Sequence, residues 1–478
     1  MGAVLRVEDK YTGEVVQELP LDDREALRAR IEEAWKWRNH VRRLSLEERR
    51  DLIRRVGEAV AGQKTAFEEL LISQAGQPRK FAAWEVERTV MQGRAFGALL
   101  ELVAPREIPA RAGRNLLVRE PYGVVGVITP RNTPLVVPFY TLFSCLGAGN
   151  ACVQKPSNLT PGPTVLLVEL ARKAGWPPGA IQYSTCPGEE AAAEFVENPR
   201  VQAFIAYSSS PVGKHNLIKM GRHLERTSAL AEYGFPIVGG SMTKYVPELA
   251  GNDPFVVLEG ADLDLAVTAA VQGGFANAGQ LCISAKRLLV HRPVADEFKD
   301  ALIAALGRLK VGDPRDPETD IGPLGRRTTL EIALRHVARA RDQGGVVLCG
   351  GRAEEPFFYP TLIEFPKERI LGRRDEDKPA LWVEESFAPV RSLVVFDTVE
   401  EAVWLANDGH YALGAALFGP EELALAMARE IDAGRIIINE SPLYGDIYLP
   451  VGGVRDSGLY GATDKITEVT YVKRIHIG

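Results

Sequence analysis

The sequence predicts an α/β protein, because runs typical of strands alternate with runs typical of helices in two separate stretches of the chain. The first stretch begins near Asn115 and includes the β-branched run Val124–Thr129, which ends at Pro130. Strands that alternate with helices form parallel sheets of βαβ units. The other elements predicted here are a helix at 135–146, a strand at 151–154, a helix at about 163–174, and strands at 180–184 and 203–207. The order is that of a Rossmann-like dinucleotide domain, although the G-x-G-x-x-G fingerprint is absent.

The residues before this stretch predict elements that supply packing rather than chemistry. Residues 3–19 predict a short hairpin. Two capping boxes, which begin at Asp22 and Ser45, each predict the start of an amphipathic helix. Helical periodicity then continues to about residue 102.

A second α/β region is predicted from about Pro254 to Gly434. It opens with the strand Phe255–Leu258 and a helix that follows Asp262. The chain closes on another predicted strand, Val469–Ile477. The sequence contains no internal repeat and no low-complexity linker.

Charge and hydropathy exclude two classes of partner. The net charge of −6, from 63 acidic and 57 basic residues, gives no basic balance for nucleic-acid binding. The uncharged segment Pro134–Gln154 is long enough to raise the question of a membrane span. Pro138, Gly147 and Gly149 interrupt it, so it predicts a buried helix, a turn and a buried strand instead.

The cysteine pattern predicts neither a disulfide framework nor a metal site. The five cysteines are Cys145, Cys152, Cys186, Cys282 and Cys349. Their spacing matches no metal-ligand pairing, and an odd number without a secretory signal is typical of a reducing, cytoplasmic compartment.

One cysteine lies in a setting typical of a nucleophile. Cys282 ends the stretch Asn277–Cys282, and Glu248 lies 34 residues upstream (282 − 248). Cysteine is intrinsically nucleophilic, and a carboxylate at a fixed distance suggests a base. Taken alone, a single cysteine is more often a small buried hydrophobic residue. No histidine lies in a motif near Cys282, which disfavours a Cys/His hydrolase.

These residues and their neighbours resemble the aldehyde dehydrogenase superfamily over nearly the whole chain. The matching segments, in chain order, are 129–134 (TPRNTP), 155–157 (KPS), 248–251 (ELAG), 279–282 (GQLC), 385–389 (ESFAP) and 450–453 (PVGG). The resemblance implies an NAD(P)-binding domain at 1–248, of which 114–131 contributes to a small β oligomerisation flap. It also implies a catalytic domain at 249–437, and a return to the cofactor domain with a C-terminal oligomerisation strand at 438–478.

The resemblance also implies a mechanism. Cys282 attacks the aldehyde to form a thiohemiacetal, and the Asn132 amide with the nucleophile's backbone N–H binds the oxyanion. Hydride transfer leaves a thioester, and Glu248 activates the water that releases the acid. Without the motif, Asn132 would be an ordinary turn residue and Glu248 a surface carboxylate.

The cofactor residues are carried over in the same way. Lys155 is expected at the adenosine ribose, Glu385 at the nicotinamide ribose and Phe387 beside the nicotinamide ring. The remaining residues expected next to NAD or NADP are Ile128, Thr129, Pro130, Ser157, Asn158, Ser209, Ser210 and Leu249.

Four departures from the family pattern leave questions open. Asn158 stands where glutamate is common, which removes a charge that would repel a 2′-phosphate and makes NADP plausible beside NAD. Ser209 replaces a glycine where the backbone approaches the dinucleotide. Arg131 either recognises an anionic substrate or, the favoured interpretation, forms a salt bridge. Residues 217–247 are longer than the family needs and predict a lid or a subunit contact.

Substrate and assembly are less determined. An aromatic mouth of Tyr140, Phe143, Tyr444 and Tyr448 would favour an apolar aldehyde, unless these side chains are plain core. Residues 250–254 and 282–284 instead resemble the branch that acts on lactaldehyde, glyceraldehyde 3-phosphate or similar short polar aldehydes. A CoA-acylating enzyme and a non-catalytic protein with the same fold are the alternatives. The flap strand implies a homodimer or homotetramer.

Overall fold

The computed structural model describes residues 3–227 and 242–478. The chain begins with a hairpin and a group of helices, as predicted. These elements are β1 (Val4–Glu8), β2 (Val15–Pro20), α1 (Arg24–Arg43), α2 (Leu46–Gly62), α3 (Lys64–Ala75), α4 (Arg79–Ala95) and α5 (Gly97–Leu100). The capping box at Ser45 is present in full.

The helix cap predicted at Asp22 is wrong by one residue. Asp23 caps α1 by accepting a hydrogen bond from Ala26 N. The Asp22 carboxylate is instead buried and accepts bonds from Ser184 Oγ (2.8 Å) and Arg30 Nε (2.9 Å). Two adjacent aspartates satisfy the same cap pattern, and only the tertiary contacts decide which one turns inward.

Next come a short antiparallel sheet and the first parallel sheet. The strands and helices are β3 (Arg106–Ile108), β4 (Arg114–Pro121), β5 (Val124–Ile128), α6 (Val136–Gly147), β6 (Ala151–Lys155), α7 (Gly162–Lys173), β7 (Ile181–Tyr183), α8 (Gly188–Glu197), β8 (Val201–Tyr207), α9 (Ser210–Thr227) and β9 (Lys244–Glu248). The described strands of the parallel sheet run β7-β6-β5-β8-β9. The direction of winding reverses at β5, and ligands of such sheets bind beyond the carboxyl ends of the strands at that point.

The second α/β region follows without a long linker. Its elements are β10 (Asp253–Val257), α10 (Leu263–Phe275), β11 (Ala285–His291), α11 (Arg292–Gly307), α12 (Arg327–Asp342), β12 (Val346–Cys349), β13 (Ala353–Glu354), β14 (Phe357–Phe358), β15 (Thr361–Glu364), α13 (Ala380–Val383), β16 (Val390–Phe396), α14 (Val399–Asn407), β17 (Tyr411–Ala412), β18 (Gly414–Phe418), α15 (Glu421–Ala428) and β19 (Arg435–Ile438). The sheet order is β12-β15-β16-β11-β10-β18-β19, and only the edge strand β12 is antiparallel to its neighbour.

The chain then returns to the first region through β20 (Val454–Arg455), α16 (Lys465–Glu468) and β21 (Thr470–Ile477). β21 pairs with β4, and β4 pairs with β3, so these three strands form the flap sheet. Residues 124–128 were predicted as part of the flap, but β5 pairs with β6 and β8 in the parallel sheet. The short strand β3 was not predicted, because three residues carry too little periodicity.

Two hydrophobic cores correspond to the two sheets. The first includes side chains from Leu27 to Val246 and is completed by Ile466 and Val469 of the returning segment. The second extends from Phe255 to Ile431. The long segment 217–247, which includes 234–236 and 239–240, was predicted as a lid or a subunit contact. Its residues 228–241 lie outside the described part of the chain.

Candidate active site

Cys282 lies in a tight loop whose backbone is held in an uncommon conformation. A short 3-10 turn, Ala276–Gly279, connects α10 to this loop. Asn277, Ala278 and Gly279 all have positive φ angles, of 51°, 54° and 71°. Left-handed backbone at a non-glycine residue costs about 1–3 kcal/mol and persists only where the surroundings enforce it. The nucleophile loop is therefore held by its neighbours.

A buried arginine, Arg391 of β16, enforces that conformation. Its guanidinium donates to Ala388 O (2.8 Å), Gly279 O (3.2 Å) and Ser284 Oγ (2.9 Å). A Cβ atom at residue 279 would lie 2.4 Å from Arg391 Nη2, which explains the glycine. Arg391 was not predicted from the sequence. The available signal was a charged residue inside the mostly apolar strand Val390–Phe396.

Asn132 lies against the loop that carries Cys282. Asn132 Nδ2 donates to Gln280 O at 2.8 Å. In return, the backbone oxygen of Asn132 accepts from Asn277 Nδ2 at 3.0 Å. An amide NH₂ has two hydrogens, so one donor remains beyond the bond to Gln280.

A buried carboxylate fixes the segment that carries Asn132. Glu85 of α4 accepts from Leu135 N (2.8 Å) and Val136 N (3.0 Å), at the start of α6. Gln77 Nε2 donates both to Glu85 and to Asn132 O. Burial raises the pKa of Glu85 to about 7, although these donors lower it. Neither Gln77 nor Glu85 carried a motif, so the sequence offered no signal for them.

Glu248 ends β9 and is almost fully buried. Its Oε1 lies 2.6 Å from Lys465 Nζ. Burial raises the pKa of the Glu248 carboxyl group, and the Lys465 ammonium opposes that effect. The Glu248 charge is in turn among those that raise the pKa of Cys282, so the candidate base and nucleophile act on one another.

The surroundings of Cys282 favour the neutral thiol over the thiolate. Burial raises its pKa to about 11, against the opposing effect of Lys286. Lys286 Nζ donates to Cys282 O (2.6 Å) and Leu281 O (3.0 Å) and forms an ion pair with Glu385 Oε1 (3.1 Å). Lys286 thereby connects the nucleophile loop to the carboxylate expected at the nicotinamide ribose.

The salt bridge favoured for Arg131 is not formed within the described residues. Arg131 Nη1 donates to Gln280 Oε1 (2.8 Å), and its guanidinium lies 5.3 Å from the ring centroid of Phe387. The nearby carboxylate of Glu385 is already engaged by Lys286 and by Gly251 N. Arg131 therefore supports the nucleophile loop and the Phe387 ring through neutral partners.

The predicted cofactor residues gather at the carboxyl ends of the first sheet. Ile128 is the last residue of β5, and Thr129 and Pro130 follow it; Lys155 is the last residue of β6, and Ser157 lies two residues later. Ser210 begins α9 with Ser209 just before it, and Leu249 follows β9. Lys155 Nζ donates to Asn158 Oδ1 at 2.9 Å, and Asn158 Nδ2 donates to Thr185 O at 2.9 Å. Burial lowers the pKa of Lys155 to about 8. Thr129 Oγ1 is buried with no hydrogen-bond partner in the described chain, so a polar group remains to be satisfied there.

The predicted aromatic mouth does not form. Phe143 is fully buried in the first core, 4.5 Å from Phe139 between ring centroids. Tyr140 packs against the first core, with its ring centroid 6.2 Å from that of Phe96. Only Tyr444 and Tyr448 are exposed, at 45% and 63%. Helical spacing alone does not distinguish a tunnel wall from the core side of α6.

Comparison with protein families decides to which family the chain belongs. The model of the aldehyde dehydrogenase family matches residues 2–475. The chain belongs to the aldehyde dehydrogenase family. This confirms the resemblance and the enzyme class, which the motif residues predicted.

Individual relatives match this aldehyde dehydrogenase over most or nearly all of its length. It is 30% identical over 477 residues to the lactaldehyde dehydrogenase of Methanocaldococcus jannaschii, covering 98% of this chain and 96% of the relative. It is 31% identical over 418 residues to the 3-sulfolactaldehyde dehydrogenase of Priestia aryabhattai, covering 86% and 82%. The crystal structure of glyceraldehyde-3-phosphate dehydrogenase from M. jannaschii complexed with NADP superposes with a TM-score of 0.88 at 30% identity, covering 99% and 98%. The predicted α/β fold is confirmed.

The part of the chain that the structure describes, residues 3–227 and 242–478, lacks two features. No helix there has the length and apolar character to cross a membrane. No group of three or more His, Cys, Asp or Glu side chains there is arranged to hold a metal ion.

Proposed function

We propose that this aldehyde dehydrogenase oxidises a short aldehyde to its carboxylic acid with NAD or NADP, through a thioester on Cys282. The observation that carries this proposal is the contact of Asn132 with the nucleophile loop, while Glu248 lies close enough to act on the Cys282 thiol. A nucleophile, an oxyanion donor and a buried base are the groups that the reaction requires.

The reaction proposed for these residues has two halves, formation of the thioester and its hydrolysis. The Cys282 thiol first loses its proton to solvent. The thiolate then attacks the carbonyl carbon, and the free N–H of the Asn132 amide donates to the oxygen that becomes negative. Bound NAD(P) would supply the hydride acceptor, which leaves Cys282 in a thioester. As water attacks the thioester, Glu248 takes one proton from the water, and the C–S bond breaks to release the acid and the Cys282 thiolate. Retention of Glu248 supports water rather than CoA as the second nucleophile.

The residues around the first sheet fit a dinucleotide. Lys155 and the orphaned hydroxyl of Thr129 lie at the strand ends where such cofactors bind. Lys155 has a neutral amide, Asn158, as its partner, so no carboxylate opposes a 2′-phosphate at that point. This contact supports NADP as the preferred cofactor.

Replacing Asn158 with glutamate is expected to lower kcat/KM for NADP by about 10- to 100-fold, because a carboxylate next to a phosphate repels it by a few kcal/mol. The value for NAD should change much less. Asn158→Gln, which has the same length without the charge, is the control. Steady-state kinetics with each cofactor measures both values. Equal losses for NAD and NADP would contradict the proposed preference.

A buried cation on α4, Arg88, supports an anionic substrate. Arg88 of α4 forms no hydrogen bond or ion pair with any described residue, and a Cβ at Gly445 would lie 2.0 Å from its Nη2. Burial lowers the pKa of Arg88, while Asp446 opposes that effect. Arg88 therefore lies against the loop at 440–448, which carries Tyr444 and Tyr448 of the expected aromatic mouth.

Arg435 contacts the same loop. Its Nη1 donates to Tyr444 O (3.2 Å). Burial lowers the pKa of Arg435, and the charges of Asp253 and Cys282 oppose that effect. We propose that an aldehyde with a phosphate, sulfonate or carboxylate a few carbons away binds with its anionic group towards Arg88. The sulfolactaldehyde and glyceraldehyde-3-phosphate activities named for two relatives support this class.

Arg88→Leu is expected to lower kcat/KM for such an anionic aldehyde by about 10- to 100-fold, since a hydrogen bond to a charged group contributes about 1.5–3 kcal/mol. A neutral aldehyde of equal length should be nearly unaffected. Arg94 of the same helix, which pairs with Glu58 on the surface, provides the matched control Arg94→Leu. If kcat/KM falls equally for both aldehydes, Arg88 has a structural role.

We also propose a homo-oligomer, a dimer or a tetramer. The edge strand β21 exposes Tyr471, Val472, Ile475 and Ile477, and an exposed apolar edge strand is a surface for strand pairing. Light scattering, run as the folding control for every variant described here, measures the state of assembly, and a monomer would contradict the proposal.

A further inference from the structure

A buried lysine from the returning segment holds the candidate base. Lys465 is the first residue of α16, and its side chain is 1% exposed. Its Nζ lies 2.6 Å from Glu248 Oε1, 2.8 Å from Val451 O and 3.2 Å from Thr463 O. An ammonium group has three hydrogens, and these three acceptors account for all of them. The backbone carbonyls therefore position the ammonium group, which in turn positions the carboxylate.

The other titratable groups near Glu248 do not replace Lys465. These groups are Glu468 on α16, Cys282 on the nucleophile loop, Tyr140 on α6, Tyr207 on β8 and Asp464 beside Lys465. All are acids or neutral groups, and the one nearby cation on β9, Lys244, is paired with Glu468. Within the described chain, Lys465 is the cation in direct contact with Glu248.

The charge of Lys465 matters because Glu248 is buried. A carboxylate removed from water is favoured in its neutral form unless an opposite charge compensates. A neutral carboxyl group cannot accept a proton from water, so an uncompensated Glu248 would not serve as a base at neutral pH. Burial does raise the pKa of Glu248, and Lys465 is the largest opposing influence.

We propose that Lys465 is a positioning residue for the hydrolytic half of the reaction: its ammonium group fixes Glu248 and keeps that carboxyl group ionised. The inference rests on the proposed function, since it assigns Glu248 to thioester hydrolysis. None of the contacts of Lys465 reaches Asn132 or the Cys282 loop. Lys465 therefore makes no direct contact with the groups that form the thioester, and we expect its main effect on the second half of the reaction.

Lys465→Met removes the cation and keeps the length of the side chain. Loss of the positive charge raises the pKa of Glu248, so the base form appears only at higher pH. The acidic limb of kcat against pH is expected to move up by about one unit or more, because an opposite charge at this distance changes a carboxyl pKa by about 1–3 units. Below that limb, hydrolysis becomes slow, and stopped-flow absorbance should record a burst of reduced nicotinamide of about one equivalent per site.

Two variants separate positioning from folding. Lys378 is equally buried and pairs with Asp408 inside the second region, so Lys378→Met should lower stability without moving the pH profile or changing any burst. Lys465→Arg keeps the charge and should restore most of the wild-type pH profile. If Lys465→Met does not fold, Lys465→Gln takes its place, with the same expected shift.

The failure of this inference differs from failure of the proposed function. A folded Lys465→Met enzyme with the wild-type pH profile and no change in the burst overturns the inference. A wild-type chain that oxidises no aldehyde contradicts the proposed function instead. In that case infrared spectroscopy still measures the ionisation of Glu248. The band of its protonated carboxyl group is assigned by its loss in Glu248→Gln. If this band has the same pH dependence in wild type and in Lys465→Met, the inference is overturned as well.

Discussion

Replacing Cys282 with alanine is expected to abolish aldehyde-dependent reduction of NAD and NADP, with a loss of about 10⁴-fold or more. No thioester can form without the Sγ atom, and variants that lack the nucleophile of a covalent mechanism lose most of the rate enhancement. The absorbance of reduced nicotinamide, followed with each cofactor over a panel of neutral and anionic aldehydes, measures the loss.

The matched control is Cys349→Ala. Cys349 is also free and half-buried, but it lies on the edge strand β12 of the second sheet. The control should retain nearly full activity. Residual turnover in Cys282→Ala at more than a few per cent of the wild-type rate would contradict covalent catalysis by Cys282. No turnover by the wild type on any aldehyde, with or without CoA, would favour the alternative of a non-catalytic protein that keeps the fold.

Glu248→Gln is expected to lower kcat by about 10²–10⁴-fold, the usual contribution of general acid–base catalysis. The amide cannot take a proton from water, so the acyl-enzyme accumulates. Stopped-flow absorbance should still record a burst of reduced nicotinamide in the first turnover, and mass spectrometry of the quenched enzyme should find Cys282 acylated. Loss of the burst as well would indicate that Glu248 also helps to deprotonate the Cys282 thiol. The burst tests this directly, because burial raises the pKa of that thiol to about 11.

Glu384→Gln provides the control for this substitution. Its carboxylate is close in sequence to Glu385 but is half-exposed and hydrogen-bonded to His336 at 3.0 Å. Its activity should stay near that of the wild type. Adding CoA to the Glu248→Gln acyl-enzyme also separates the two possible second nucleophiles: rapid release of an acyl-CoA would favour the acylating alternative, and continued slow release favours water.

The strands and helices followed from local patterns, and so did the chemistry. Hydrophobic periodicity and caps depend on residues a few positions apart, and the βαβ alternation therefore predicted both parallel sheets. The nucleophile motif at 279–282 and the glutamate of 248–251 are likewise short, so they could be read as family features before any contact was known. Where two local solutions were equivalent, as for Asp22 and Asp23, the sequence could not choose between them.

Contacts between distant residues could not be predicted in the same way. Arg391 meets the nucleophile loop more than a hundred positions away in sequence, and Lys465 meets Glu248 across more than two hundred. Neither lysine nor arginine carries a pattern that names its partner. The side of α6 that became core, rather than tunnel wall, also depended on what packed against it.

The sequence by itself determined the family and the fold class, because those depend on short motifs and periodic patterns, and it supplied the candidates for the reacting groups. Only the tertiary structure decided what surrounds each candidate group. Burial raises the pKa of both Cys282 and Glu248. Two cations oppose this effect of burial: Lys286, which is near Cys282 in sequence, and Lys465, which reaches Glu248 from a remote part of the chain. Sequence distance does not limit them, because a charge acts through space.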